Sequence, residues 1–354
     1  MHDQILPSLH HLRRLGIVGE IEVCARREST LDALKSALPD MPFRPRLEPY
    51  AEVLPSVPKR QLAVIALPDQ VHFDAVMTAL RADQHVLCVK PLVLTVAESE
   101  EIEREAKKRN LLVAVEYHKR FDDRALMARR RYQEGHFGEF RLGTAILFEK
   151  WHYRNSNFQN WFSKENTDCF TYIGCHYVDL VAFITGLTPS AVSVYGIPDK
   201  FPNGVEGYLW TDARVIWSNG ACLNVQNSLS YPDAGPGPNT QGLTMWCDQS
   251  FIRHSDQYRG LEYCEVDRGY SEPSPDYMQM VEYTGGGLRP VGYGYRSIEA
   301  IIQTMLDLEA GKISLDAIDQ AGLLATPANS RYNERVVEAA RRSIAEGGSL
   351  VSCA

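Results

Sequence analysis

The 354-residue chain has no apolar stretch near the roughly 18 residues that a membrane-spanning helix requires. Its opening, MHDQILPSLHHLRR, lacks the apolar core of a secretory signal, so a cytoplasmic protein with no membrane partner is expected. A basic excess is missing too: 37 Lys and Arg stand against 45 Asp and Glu, a formal net charge of −8. Nucleic acids and anionic lipid favour basic surfaces, so no nucleic-acid partner is expected either. The basic runs Lys107 to Arg109 and Arg129 to Arg131 lie in helix-like segments and read as solvated faces. Eight cysteines occur, none spaced as CxxC and several inside apolar runs, which argues for reduced thiols and against a disulfide framework. There is no internal repeat and no low-complexity tract.

What the chain does have is centred on Leu62 to Pro91, LAVIALPDQVHFDAVMTALRADQHVLCVKP. The short apolar run Leu62 to Leu67, closed by Pro68, predicts a strand buried on both faces of a parallel sheet. Asp69 can cap a helix in which Phe73, Val76, Met77 and Leu80 recur at helical spacing. A second apolar run, His85 to Val89, ends in Lys90 and Pro91. In such strand, helix, strand units ligands gather at the carboxyl ends of the strands, so Pro68, Asp69, His72 and Lys90 should border one crevice.

The length and the composition, 44% apolar and 23% charged, suit two globular domains, placed at 1–121 and 122–354. Before the crossover, Ile5, Leu9 and Leu12 predict a helix, Ile21 to Ala25 a strand and Thr30 to Leu38 a helix, after which four prolines break the pattern. After it, Thr95 and Glu98 form a capping box for a helix to Arg109, and Leu111 to Val115 reads as a buried strand. From about Asp122 the alternation stops. A helix at Arg124 to Tyr132 and a strand at Phe140 to Phe148 lead to a polar, aromatic loop, Lys150 to Trp161. A helix from about Asp168 to Thr185 follows. Strand-like segments at Ala191 to Gly196, Gly207 to Trp217, Ala221 to Ser230 and Leu243 to Cys247, separated by turns, predict a largely antiparallel sheet, with Tyr231 to Gly242 as a surface loop. Two helices, Arg296 to Ala310 and Arg331 to Glu346, close the chain.

Cys88-Val89-Lys90-Pro91, then His118-Lys119-Arg120-Phe121, then Gly174-Cys175-His176-Tyr177-Val178-Asp179 resemble the ordered motifs of the glucose-fructose oxidoreductase, inositol dehydrogenase and MocA (Gfo/Idh/MocA) family. The resemblance covers nearly the whole chain. It implies an α/β fold: an N-terminal Rossmann-like parallel sheet followed by an α+β domain with an open-faced, mostly antiparallel sheet. It further implies a nicotinamide cofactor and oxidation or reduction of hydroxyl groups on sugars, polyols or sugar acids, in a homodimer or homotetramer formed through the second sheet. Two departures stand out. The family opens with a strand and a GxGxxG turn, whereas this sequence begins at the helix that should follow them. Either the sequence starts late or the first domain is rearranged, since losing a central strand leaves buried backbone groups unpaired at about 1–3 kcal/mol each. The family also often carries Asp four residues before the motif histidine, where Tyr172 stands, and Glu before the Lys-Pro pair, where Val89 stands.

Lys90, at a strand's carboxyl end, can donate to a substrate oxygen; the bland reading is a solvated lysine. Tyr172, His176, Asp179 and Phe183 are spaced to share one helix face, with Ile173, Tyr177, Leu180 and Ile184 on the core side. An imidazole can take the proton of an alcohol as hydride leaves, which makes His176 the candidate acid/base, beside the alternative of a histidine that only hydrogen-bonds Asp179. Tyr172 is a candidate to hold the substrate, and Asp179 an orienting or substrate-contacting one. No metal is expected, because nothing supplies a third ligand beside His176 and Asp179. Arg26 and Arg27 end the second Rossmann strand, where Arg suits a ribose 2′-phosphate, so the preference between NADP and NAD leans to NADP. Leu67, Pro68, His72 and Arg120 complete the cofactor candidates that the resemblance implies, and Tyr153 and Arg154 the substrate candidates. The rival readings are a sugar-binding sensor with a degenerate cofactor site and an NAD-dependent glycosidase.

Overall fold

The computed structural model describes residues 4–255, 260–267 and 269–354. Helix α1 (Ile5–Arg14) leads into β1 (Glu22–Cys24), α2 (Glu28–Ala37), β2 (Arg44–Arg46), α3 (Tyr50–Ser56), β3 (Leu62–Ile65), α4 (His72–Arg81), β4 (His85–Val89), α5 (Val96–Arg109) and β5 (Val113–Glu116). Alternation of strand and helix produces parallel pairing throughout: β1 with β2, and β3, β4 and β5 in that order. Helices cover both faces of β4, so Val86, Leu87 and Cys88 are fully buried. Thr95 opens α5 as its capping residue, its hydroxyl accepting from the Glu98 amide at 3.3 Å.

No strand joins the two parallel sheets among the described residues, and β1 and β3 each keep one edge without a ladder partner. Packing joins them instead. Leu9 of α1 and Val18 touch both the cluster of Leu6, Ile21, Val23 and Leu31 and the one centred on Leu87 and Ala114. Neither β2 nor α3 is legible among the four prolines. Pro45 is tolerated inside β2 because β2 is an edge strand that bonds only β1, so its missing donor is not needed.

The second half contains α6 (Asp123–Gln133), β6 (Phe140–Lys150), α7 (Cys175–Thr185), β7 (Pro189–Lys200), β8 (Glu206–Trp217), β9 (Cys222–Tyr231), β10 (Asn239–Cys247) and β11 (Phe251–Ser255). Two small antiparallel pairs follow, β12 (Tyr263–Glu265) with β13 (Gly269–Ser271) and β14 (Gln279–Glu282) with β15 (Leu288–Val291). Then come α8 (Tyr293–Glu309), α9 (Leu315–Ala321), α10 (Tyr332–Ala345) and β16 (Val351–Ser352). Seven strands form one sheet in the order β11, β10, β6, β9, β8, β7, β16, antiparallel except for β6 beside β9. One face packs Val192, Leu223 and Val225 against Val178 and Val181 of α7 and Val336 and Ala340 of α10. The period of two turns Tyr195 and Trp246 to the other face, where they are exposed.

Helix α8 leaves this domain. Ile298, Ile301 and Ile302 pack with Ile5 and Leu12 of α1 and with Leu87, Leu112 and Ala114 of the first sheet. The domain assigned to 122–354 therefore lends a helix to the one before it.

The segment predicted as a single helix from Asp168 contains two conformations. A π-helical turn, Phe170–Gly174, precedes α7. Asp168 starts it, accepting from the Thr171 amide at 2.9 Å and hydroxyl at 2.7 Å. Nor does α7 have one functional and one core face. It is wedged between the sheet and the first domain, and every residue from Cys175 to Ile184 is buried.

Candidate active site

Lys90 leaves the carboxyl end of β4 and points into the second domain. Its Nζ donates to the Tyr172 carbonyl and lies 3.7 Å above the Tyr172 ring. Both contacts fall on the π-helical turn, four residues before His176. That turn hugs the sheet: a Cβ on Gly174 would come within 2.5 Å of Asn227 Oδ1 and 2.8 Å of the Phe170 ring, so only glycine fits there.

His176 is buried, and its Nδ1 has no hydrogen-bond partner. Burial first, then the charges of Lys90, His118 and Lys119, hold its pKa well below the ordinary value, so the ring is neutral at pH 7. Lys90 follows β4 and His176 opens α7, and the Lys90 charge bears on the His176 ring. Tyr172 packs against Phe158, Trp161 and Phe162, and burial followed by the Asp69 and Glu149 carboxyls drives its pKa well above the ordinary phenol value. It supports Lys90 through its ring and its carbonyl.

Beside His176 opens a cleft of about 610 Å³, bordered by His118 and Lys119 after β5, Glu149 of β6, Tyr153, and Gln241 of β10. Lys119 Nζ donates to Gln241 Oε1 at 2.5 Å. The Glu149 carboxyl has its pKa raised, burial outweighing Asn239, Lys90 and Lys119. The His118 ring centroid is 4.6 Å from that of His176 and 5.5 Å from that of Tyr293. Its Nδ1 lies 2.9 Å from Glu116 Oε2. The sequence reading missed His118 and Glu116 as functional residues, although His118 stands in one of the family-like motifs. The hint was a carboxylate two residues before a histidine at a strand's end. Gln241 was missed because its segment reads as a loop.

Four candidates are engaged by protein partners. Arg120, expected at the cofactor, is buried and bonds both oxygens of Asp179, at 2.8 and 2.6 Å. Asp179, read as an orienting or structural residue with a substrate contact as the other possibility, also accepts from Tyr332 at 3.0 Å and Asn333 at 2.9 Å, as an orienting or structural residue would. Arg154, expected at the substrate, is 3% exposed. It lies between the Trp151 and Trp210 rings and bonds Asp199 at 2.7 Å and the Leu229 carbonyl at 2.8 Å, as a strut of the loop. His72, expected at the cofactor, is sealed, its two nitrogens facing the Pro91 and Leu67 carbonyls at 2.8 Å each. Two acceptors ask for two N–H donors. Burial opposes the charge, but Cys88, Asp69 and the Pro91 carbonyl prevail and push its pKa up to about 10. His72 therefore ties the ends of β3 and β4 together.

Arg26 and Arg27 are exposed beyond β1, Leu67 is exposed beyond β3 with Pro68 next to it, and Tyr153 borders the cleft. Asp69 turns inward to accept from Thr167 at 2.8 Å. Among the described residues no helix is long and apolar enough to cross a membrane, and all eight cysteines are free.

Residues 20–117 match the model of an oxidoreductase family with an NAD-binding Rossmann fold, and residues 125–247 match the GFO/IDH/MocA C-terminal domain. The chain belongs to the Gfo/Idh/MocA oxidoreductase family. It is 34% identical over 172 residues to an uncharacterized oxidoreductase of Schizosaccharomyces pombe, 48% of this chain and 44% of that protein. It is 24% identical over 188 residues to the scyllo-inositol 2-dehydrogenase (NADP+) of Bacillus subtilis, 52% of this chain and 50% of that one. The chain thus spans about half the length of these curated relatives. Among solved structures, GenD2 from gentamicin A biosynthesis in complex with NAD superposes with a TM-score of 0.74 at 17% identity, over 98% of this chain and 92% of that one. That likeness shows the fold.

Proposed function

We propose that the chain transfers a hydride between NADP or NAD and a hydroxyl-bearing carbon of a sugar, polyol or sugar acid. The observation that carries this reading is a buried neutral imidazole, His176, on the wall of the cleft, with the ammonium of Lys90 anchored four residues before it on Tyr172 and its charge bearing on that ring. Lys90 polarises the substrate oxygen. Neutral His176, its Nδ1 unpartnered, accepts a hydrogen bond from the reacting hydroxyl. Tyr172 holds Lys90 in place, and Tyr153, Glu149 and Gln241 offer rings and polar groups to the remaining hydroxyls. The nicotinamide supplies the hydride acceptor or donor. Leu67, an exposed apolar side chain at a strand end, and the exposed Arg26 and Arg27 suit the two ends of such a dinucleotide. The outer face of the second sheet, with Tyr195 and Trp246, is the surface for a second copy.

A sensor without turnover is the second reading, favoured by the two unjoined parallel sheets. Fluorescence titration with NADPH, followed by NADP+ reduction against a panel of sugars and polyols, separates them. Binding with turnover supports the dehydrogenase, sugar binding with neither NADPH binding nor turnover supports the sensor, and release of the aglycone from an aryl glycoside would point to a glycosidase.

A further inference from the structure

His176 is a poor place for a positive charge. The charged or titratable groups acting on it, Lys90, His118 and Lys119, all disfavour protonation, and no carboxylate is bonded to it. The second imidazole of the cleft is built the opposite way. Three polar groups converge on Glu116: Gln4 Nε2 donates to Oε1 at 2.7 Å, Ser297 Oγ lies 2.7 Å from Oε1, and His118 Nδ1 lies 2.9 Å from Oε2. Glu116 is nearly buried, so as a carboxylate it sets a negative charge beside the His118 ring and takes Nδ1–H. It also fixes the tautomer. With Nδ1–H committed to Glu116, the lone pair is on Nε2, and the ring is held by Tyr277 and Tyr293, with centroids 5.2 and 5.5 Å away.

We infer that His118, oriented by Glu116, is the second catalytic base of the cleft, and that the proton released from the substrate hydroxyl comes to rest on its Nε2. This rests on the dehydrogenase reading and changes which imidazole ends up charged. In the oxidation, the C–H bond breaks and its electron pair leaves as hydride to the nicotinamide. The O–H bond breaks, its electron pair forms the carbonyl, and its proton makes a new N–H bond on His118. His176 hydrogen-bonds the same oxygen and stays neutral, while the new imidazolium is balanced by Glu116, which acts as a positioning residue.

The test combines kinetics with 15N NMR of the histidine rings in the full-length protein. His118→Gln is expected to lower kcat about 100-fold or more while KM and NADPH binding stay within about threefold, since removing a positioned base costs roughly 10²–10⁴. Added imidazole should restore part of the rate to His118→Gly. Glu116→Gln should lose at least about tenfold and release the Nδ1–H tautomer. In the wild type, NMR should find Nδ1 protonated and Nε2 bare. A His118→Gln enzyme within about threefold of the wild-type kcat, or an Nε2–H tautomer, overturns the inference while the dehydrogenase reading stands. Should the wild type turn over no hydroxyl compound, that reading falls instead, and the tautomer alone decides whether His118 is set up as a base.

Discussion

Arg120 and Asp179 clasp each other across the junction of the two domains, with both carboxylate oxygens and two guanidinium nitrogens engaged at 2.8 and 2.6 Å and both residues buried. Tyr332 and Asn333 of the last long helix complete the ring of donors. A buried pair of this kind is worth little against an apolar replacement of both partners, but removing one strands the other. Asp179→Ala is therefore expected to cost about 3–5 kcal/mol in urea unfolding. The folded fraction should bind NADPH like the wild type, because Asp179 does not face the cleft. A weakened NADPH titration with unchanged unfolding would contradict this assignment.

Lys90 makes the complementary prediction. Lys90→Met keeps an unbranched apolar stem and removes the ammonium together with its contacts to the Tyr172 ring and carbonyl. Thermal unfolding should move little, whereas kcat should fall by about 10²–10⁴, the usual scale for a lost proton-handling group. Steady-state rates with the best hydroxyl substrate decide it, and an unimpaired variant would sink the role given to Lys90.

These two residues show what the sequence made legible. Periodicity placed β3, α4 and β4 almost to the residue, with Lys90 directly after the end of β4. Alternation likewise announced the open sheet from Ala191 onward. Spacing alone could not tell a buried anchor from a ligand: Arg120, Asp179, Arg154 and His72 are all buried and each turns polar atoms to protein partners that the sequence pattern does not name. His118 escaped for the converse reason, since its significance comes from Glu116, Gln4 and Ser297 meeting in space. The π-helical turn before α7 was equally invisible, because one extra residue per turn changes which side chains share a face without altering composition.

Arg26 and Arg27 bear on cofactor choice. Both are exposed just past β1. If they meet a ribose 2′-phosphate, replacing both with Ala should raise the Kd for NADPH by about tenfold or more and leave that for NADH within about twofold. Parallel fluorescence titrations read the ratio. Equal losses for the two dinucleotides would mean a general effect of charge, and no loss would mean a pair of solvated side chains.

Glu334, buried in α10, has neither carboxyl oxygen in a hydrogen bond. Burial pushes its pKa up to about 8 from an ordinary 4.5, despite the opposing pull of local backbone amides and Arg331. The folded chain thus holds a proton that the unfolded chain releases from about pH 4.5 upward. Stability must fall as pH rises from about 4.5 to about 8 and remain lower above that. Glu334→Gln keeps the shape and cannot ionise. It should match the wild type near pH 4.5 and exceed it at pH 9 by a few kcal/mol, since each tenfold difference in proton affinity between the folded and unfolded chains is worth about 1.36 kcal/mol. Denaturation curves at the two pH values give the difference directly, and a constant offset between the proteins at both would show that Glu334 is not the group responsible.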